Sequence, residues 1–308
     1  MASLVNKFMY NIIGKKKFWL SFSSLLVAAS ILFLIFWGLK PGIDFTGGSL
    51  LEVSYSAQAP SLNQTEQALS ELNLQSLKIQ PSGSQELIIR FQNTDETTHQ
   101  TVLEKLRAIS IEGVTDNTML ENQFDAIGPI IGSELKGKAI QSIILVLIFI
   151  VLYIAWAFRK VSQPVSSWKY GVAAIIALIH DVLLIVGLFV VLGKVWNIEV
   201  DSLFVTALLT ILGFSVHDTI VTFDRTRENL HKKSELSFDE ILNHSINETI
   251  VRSLNTSIST LLVLVAIYLF GGESIKNFIL ALLFGIVVGA YSSIFVASPI
   301  LSIWNRQK

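Results

Sequence analysis

Phe18-Trp-Leu-Ser-Phe-Ser-Ser-Leu-Leu-Val-Ala-Ala-Ser-Ile-Leu-Phe-Leu-Ile-Phe-Trp-Gly-Leu39 is a run of 22 residues without one ionisable side chain. As a helix rising about 1.5 Å per residue it would match a hydrocarbon layer about 30 Å thick. Three more runs, 139–158, 253–272 and 277–304, are equally free of charge, and two others, 171–193 and 202–223, are apolar except for one His-Asp pair in each. The expectation is six transmembrane helices. Composition agrees: charged residues are 15% of the 308, against about 25% in soluble domains, and the mean hydropathy is +0.57. A net charge of −1 offers no basic field for nucleic acid, and the absence of Cys excludes disulfides, thiolate metal sites and thiol nucleophiles.

Lys15, Lys16 and Lys17 precede the first run, as in a signal peptide. The run is longer than the roughly 7–15 apolar residues of a cleaved signal, so an uncleaved anchor is expected. Lys and Arg then set the orientation. Lys7, Lys15–Lys17, Arg159, Lys160, Lys169, Arg225, Arg227, Lys232, Lys233, Arg306 and Lys308 fall on one side, whereas the two short loops opposite carry only Lys194 and Lys276. Both termini are therefore expected in the cytoplasm (1–17 and 305–308), with residues 40–138 outside and a cytoplasmic loop at 224–252.

Residues 40–138 hold 13 Asp and Glu against 7 Lys and Arg and read as a small folded domain. Leu50–Tyr55 has strand character, and Ser61-Leu-Asn-Gln64 is a capping box opening a helix to about Leu72. Strands are expected at Leu77–Gln80 and Glu86–Phe91 with a turn at Pro81–Ser84, a helix over Asp95–Ile109, and a last strand within Val114–Asp125. The order β-α-β-β-α-β predicts a ferredoxin-like split βαβ fold. The domain's one histidine, His99, falls on a polar helix face and reads as a solvated side chain; its scattered carboxylates lack metal-ligand spacing. A binding or mechanical role fits it better than catalysis.

An ionisable side chain within hydrocarbon costs about 2.5–3.5 kcal/mol on insertion scales, which makes each one a functional candidate. His180 and Asp181 lie in helix three, His217 and Asp218 in helix four, and Arg252 at the start of helix five. Entering near residue 171, helix three carries Asp181 about 15 Å deep, whereas Asp218 lies about 8 Å from the edge near Phe223. Asp218 and Arg252 share that depth and are expected to pair, either as a proton relay in which the carboxylate carries the proton, or as a structural ion pair. His180 and Asp181 read equally as relay members or as a polar pair fixing helix packing.

Arg252, Asn255, Thr256, Ser259 and Thr260 follow helical spacing, as do Thr206, Thr210, Gly213 and His217, and both stripes are expected to face a polar interior. Ala281, Gly285, Gly289 and Ser293 form a small-residue stripe for close packing. In the loop, Asp224-Arg-Thr-Arg-Glu-Asn229 alternates charge, and Arg225 and Arg227 are within reach of lipid phosphates. Ser237-Phe-Asp-Glu240 is a second capping box, and Phe238, Ile241, Leu242, Ile246 and Ile250 give one apolar face. That face predicts a helix lying on the membrane surface or a docking site for a partner.

These motifs together resemble the SecD/SecF family of protein-export membrane proteins, in the resistance-nodulation-division superfamily. The resemblance rests on Gly42-Ile-Asp-Phe-Thr-Gly-Gly48, Ala177-Leu-Ile-His-Asp181, Gly213-Phe-Ser-Val-His-Asp-Thr-Ile-Val221, Asp224–Asn229 and Tyr268-Leu-Phe-Gly-Gly272, in order along nearly the whole chain. It implies an α-helical membrane protein of six transmembrane helices with an α+β ferredoxin-like periplasmic domain between helices 1 and 2. It also implies the bacterial inner membrane and a role in proton-driven export of preproteins. The implied partners are SecD, with which the chain would resemble a twelve-helix transporter, the SecYEG channel with its accessory subunits, the translocating preprotein, protons and membrane lipid. No cofactor is implied.

By motif, Asp218 matches the proton-carrying aspartate of the family and Arg252 its functional arginine. His217 departs from an Asn that many relatives carry, and would either join the relay or replace the amide as a hydrogen-bond partner. Gly42, Asp44, Gly47 and Gly48 read as a structural joint rather than a ligand site. The second function considered is a half-size proton-driven small-molecule exporter of the same superfamily. An enzyme is not expected, because the chain lacks a G-x-S-x-G elbow and an H-E-x-x-H helix.

Overall fold

The computed structural model describes residues 10–92, 95–111, 116–157, 166–233 and 235–305. Lys7, Val114, Phe158, Arg159, Lys160, Arg306 and Lys308, which enter the expectations above, lie outside the described residues. The chain forms two compact units, Met1–Lys40 with Gln141–Lys308 and Pro41–Ile140.

In chain order the elements are α1 (Lys16–Trp37), a single helical turn Ile43–Thr46, β1 (Gly48–Tyr55), α2 (Leu62–Leu69), β2 (Lys78–Ser82), β3 (Glu86–Phe91), α3 (Glu96–Arg107) and β4 (Met119–Ile127). Then follow α4 (Pro129–Ala157), α5 (Ser167–Trp196), α6 (Ser202–Lys232), α7 (Phe238–Phe270), α8 (Lys276–Ser292), a π-helical turn (Ser293–Ala297) and α9 (Ser298–Asn305).

In the smaller unit the four strands form one antiparallel sheet in the order β2-β3-β1-β4. This is the ferredoxin-like arrangement that the β-α-β-β-α-β order predicts. Alternation builds its core: Leu51, Val53 and Tyr55 of β1 lie on the face that Leu87, Ile89 and Phe91 of β3 share. Leu51 pairs with Ile89 and Val53 with Leu87. Leu69 of α2 and Val102, Leu103 and Leu106 of α3 close that face. Ser61 caps α2 through the expected box, its hydroxyl accepting from the Gln64 N–H while the Gln64 side chain accepts from the Ser61 N–H. Asp95 caps α3 by accepting from the Thr98 N–H at 2.8 Å.

His99 is not solvated. It is buried, with its ring stacked on Phe124 of β4 at 3.6 Å and its nitrogens 3.2 Å from Glu96 and Glu121. The helix face is polar in sequence, but the partner that covers it comes from a strand some 25 residues later.

In the larger unit six helices are long and apolar enough to cross a membrane. Burial separates them. Half of the apolar window of α5 and of α6 is buried, and 61% of the last span (α8 to α9), against 17% for α7 and 6% for α1 and α4. Helices three, four and six therefore form the centre, and helices one, two and five its flanks. The small-residue stripe packs within the chain: a Cβ on Gly285 would overlap Ile211 of α6, and one on Gly289 would press on Ser215.

The described residues of the segment 224–252 are mostly helical. α6 continues to Lys232 and α7 starts at Phe238, so a hairpin of two helices extends beyond the apolar windows. The expected surface helix is the first half of α7, capped as predicted at Ser237 and Glu240. Its apolar residues Leu242 and Ile246 pack against Ile12, Ile13 and Leu301 instead of lipid.

Candidate functional site in the membrane unit

Asp218 sits in α6 with 3% of its surface exposed, accepts a hydrogen bond from the Ser253 hydroxyl of α7, and keeps Oδ2 without a hydrogen-bond partner. The expected pairing with Arg252 is not made. Arg252 is exposed, and among the described residues it enters no ion pair. The reason is helical rotation: Ser253 follows Arg252 by about 100°, so when Ser253 turns inward to Asp218 the guanidinium turns out.

The polar stripes have the same fate. Thr206, Thr210, Gly213 and His217 of α6 are exposed, as are Arg252, Asn255, Thr256 and Ser259 of α7. They do not line an interior of this chain; they form polar outer faces on two neighbouring spans. Intrahelical bonds from Thr206, Thr210, Thr256, Ser259 and Thr260 hydroxyls to carbonyls one turn back satisfy part of that surface.

The second His-Asp pair is placed differently. Asp181 of α5 is fully buried and is the meeting point of three helices: its carboxylate accepts from Ser215 of α6 at 2.5 Å and from Ser292 of α8 at 2.7 Å, and pairs with His180 Nδ1 at 2.9 Å. Neither serine stands out in the sequence. The available signal is that Ser215 lies three residues before Asp218, and Ser292 one position from the small-residue stripe.

The glycine motif forms a tight turn ahead of β1. Gly42 precedes the helical turn, and the Thr46 hydroxyl donates to the Gly42 and Gly47 carbonyls at 3.0 and 3.1 Å. Gly47 (φ 73°) and Gly48 (φ 123°) adopt backbone angles that disfavour other residues. A Cβ on Gly47 would lie 2.8 Å from Pro129 Cα, and one on Gly48 2.9 Å from the Phe91 carbonyl oxygen. Asp44 lies within this turn, as its first-turn acidic residue.

Around the hairpin the arginines engage protein carboxylates. Arg225 donates to Glu248 at 2.6 Å and also pairs with Glu228, and Arg227 lies 3.5 Å from Asp224. Glu248 is the hub, receiving Asn229 at 2.7 Å, His244 at 2.9 Å and Lys233 at 3.3 Å as well. A further tie joins Lys16, 6% exposed, to Asp239 at 2.6 Å and Ser302 at 2.5 Å. In the sequence Lys16 stands out only as one of the charges that set orientation.

Comparison with known proteins adds identity to this geometry. Residues 109–307 match the family described as protein export membrane protein SecD/SecF, C-terminal, and residues 33–59 match the SecD/SecF GG motif. The protein translocase subunit SecF of Thermobaculum terrenum is 41% identical over 92% of this chain and 90% of its own length. That of Anaerolinea thermophila is 37% identical over 96% of this chain and 94% of its own. Among solved structures, SecDF from Thermus, titled a translocon-associated membrane protein, superposes with a TM-score of 0.82 at 30% identity, over 98% of this chain and 39% of that one. A second SecDF structure, titled a super-membrane-facing form, gives 0.69 at the same identity and coverage. By the family match across two thirds of its length and by these relatives, the chain belongs to the SecD/SecF family of protein-export membrane proteins.

Proposed function

We propose that the chain is a subunit of the Sec protein-translocation machinery that, with SecD, uses the proton-motive force to promote preprotein export across the bacterial inner membrane. The observation that carries this reading is the polar outer face of α6 and α7, with Asp218 behind it and Arg252 on it. A polar, charged face in hydrocarbon requires a covering partner. The solved relatives are named SecDF and extend well beyond the 39% that this chain covers, which favours SecD as that partner. The named relatives are translocase subunits, which favours this reading over a small-molecule exporter.

In this mechanism Asp218 is the proton carrier. Its Oδ2 has no hydrogen bond to lose on protonation, and Ser253 holds the other side of the carboxyl group. Protonation removes a charge from the α6–α7 contact, where Ser253 of α7 faces the carboxyl group, and changes the preferred packing of the two helices. Moving one charge through 100 mV supplies about 2.3 kcal/mol, enough to redistribute a two-state equilibrium. The α+β domain, on the periplasmic side with both termini in the cytoplasm, meets the emerging preprotein, while SecYEG supplies the channel and lipid surrounds the flanking helices.

The test is gradient-dependent secretion with Asp218→Asn, with expression and SecD association measured alongside. Export that loses its response to the proton gradient in an intact complex supports the proposal. Unchanged export overturns it.

A further inference from the structure

We infer that His180 and Asp181 form a second proton-binding site in the membrane unit, reached through a cavity between α1, α5 and the last span. The inference rests on the proton-driven reading for its purpose, but its evidence is separate from Asp218.

The cavity holds about 330 Å³ and is lined by Ser23, Ser24 and Ala28 of α1, Ile179 and His180 of α5, and Val296 of the π-helical turn, among others. Its lining contains no Lys, Arg, Asp or Glu among the described residues. His180 is 5% exposed, and its Nε2 is buried without a hydrogen-bond partner, while Nδ1 is committed to Asp181. A buried ring nitrogen left unpaired is costly, and polar groups of that kind call for an explanation. Here the unpaired nitrogen belongs to a residue that lines a cavity large enough for water.

The chemistry follows from charge. With a neutral imidazole and an ionised Asp181, the pair would carry one full negative charge in hydrocarbon, which Ser215 and Ser292 spread but do not cancel. A proton delivered to Nε2 by water entering the cavity makes the pair imidazolium and carboxylate, neutral overall. Nδ1 already holds the orientation that such a pair needs. The groups facing the imidazole are Asp181 from its own helix, Ser292 and the Tyr291 ring at 6.2 Å from the last span, and Ser23 of α1, whose hydroxyl is bonded to Tyr291 at 2.8 Å. From α6 comes Ser215, with Asp218 about one turn further along that helix.

Two features connect this site to movement. Ser215 binds Asp181 from the same helix that carries Asp218, so a change in Asp181's charge alters a bond that fixes α6. Ser292 binds from the residue just before the π-helical turn, an irregularity often found at functional positions. A mere packing staple would need the serines and the carboxylate, not a buried ring nitrogen left unpaired on a residue beside a cavity.

The experiment is a pH titration of ring-¹⁵N-labelled histidine in the full chain, embedded in lipid nanodiscs and followed by NMR. The chain has five His, so His180→Gln identifies the resonance. A chain in which the other four are replaced identifies it again without disturbing the pair. The expected result is a reversible shift of the His180 Nε2 signal across the titration. Its midpoint should move in Asp181→Asn and persist in Asp218→Asn. A ring that keeps one protonation state throughout, or a midpoint indifferent to Asp181→Asn, overturns the inference. Should Asp218→Asn leave export unchanged, the proposed coupling at α6 falls, while the His180 spectrum still decides this site.

Discussion

The chain carries the same dipeptide twice, His180-Asp181 on α5 and His217-Asp218 on α6, and the fold gives the two copies opposite surroundings. Asp181 is fully buried with three partners from three helices, and its histidine is buried beside it. Asp218 is held by one serine with one oxygen unmet, and its histidine faces outward. Adjacent residues on a helix point about 100° apart, so a dipeptide has no fixed environment. The rotation of its helix decides whether one or both side chains face the core. A satisfied carboxylate stabilises one arrangement of helices; a half-satisfied one is poised to change.

The largest effect that tests this contrast is expected at Asp181→Ala. Two buried hydroxyls and an imidazole lose their common acceptor, for a loss of about 3–5 kcal/mol, read as a large drop in the unfolding temperature of the nanodisc-embedded chain. Ser215→Ala should cost less, about 1–3 kcal/mol, because two of the three partners remain. Asp218→Asn should change stability by no more than about 1 kcal/mol, since an amide oxygen accepts the Ser253 bond equally well. Equal losses at Asp181 and Asp218 would break the comparison. His217→Asn should fall within about 0.5 kcal/mol, as expected for an exposed site; a larger loss would show that His217 supports Asp218 directly.

The smallest effect belongs to the other unit and serves as a control. The Thr97 hydroxyl, then the Thr98 N–H and hydroxyl, hold the Asp95 carboxylate down from 3.8 to about 2. A depressed carboxylate contributes stability that is present above its unfolded value and lost as pH falls through the folded one. Protection of the α3 amides from hydrogen exchange should therefore weaken between about pH 4 and 2, and less steeply in Asp95→Ala. Neither His-Asp pair should affect that slope.

What was legible in the sequence follows the range of the interactions. Six spans, both capping boxes and strands β1 to β3 are local patterns that appear where periodicity puts them, although α4, α6 and α7 run well past the apolar stretches that mark them. The stripes on α6 and α7 were legible as stripes, but helical spacing does not say which way a stripe faces, and both face out. The pairing of Asp218 with Arg252 failed for the same reason: equal depth leaves rotation free. His99 looked solvated because its cover, Phe124, comes from another element. Within 224–252 the sequence predicts only the helix after Ser237, because the polarity that follows Phe223 looks like the end of a span. Helical structure needs no apolar residues when contacts such as Lys232 with Glu228, and Asn229 with Ser245 across the hairpin, hold the turns.

The length of that hairpin has a mechanical consequence. From Asp218 to the end of α6 at Lys232 the helix runs about 21 Å, and α7 runs back beside it, bolted by Asn229, Arg225 and Glu248. Two stiff rods joined along their length act as a lever with its fulcrum near the carboxylate. A tilt of about 5° at that point sweeps the tip through roughly 2 Å, a full side-chain contact, by the helix rise alone. A displacement too small to see at the carboxylate thus becomes large enough at the tip to make or break an interface.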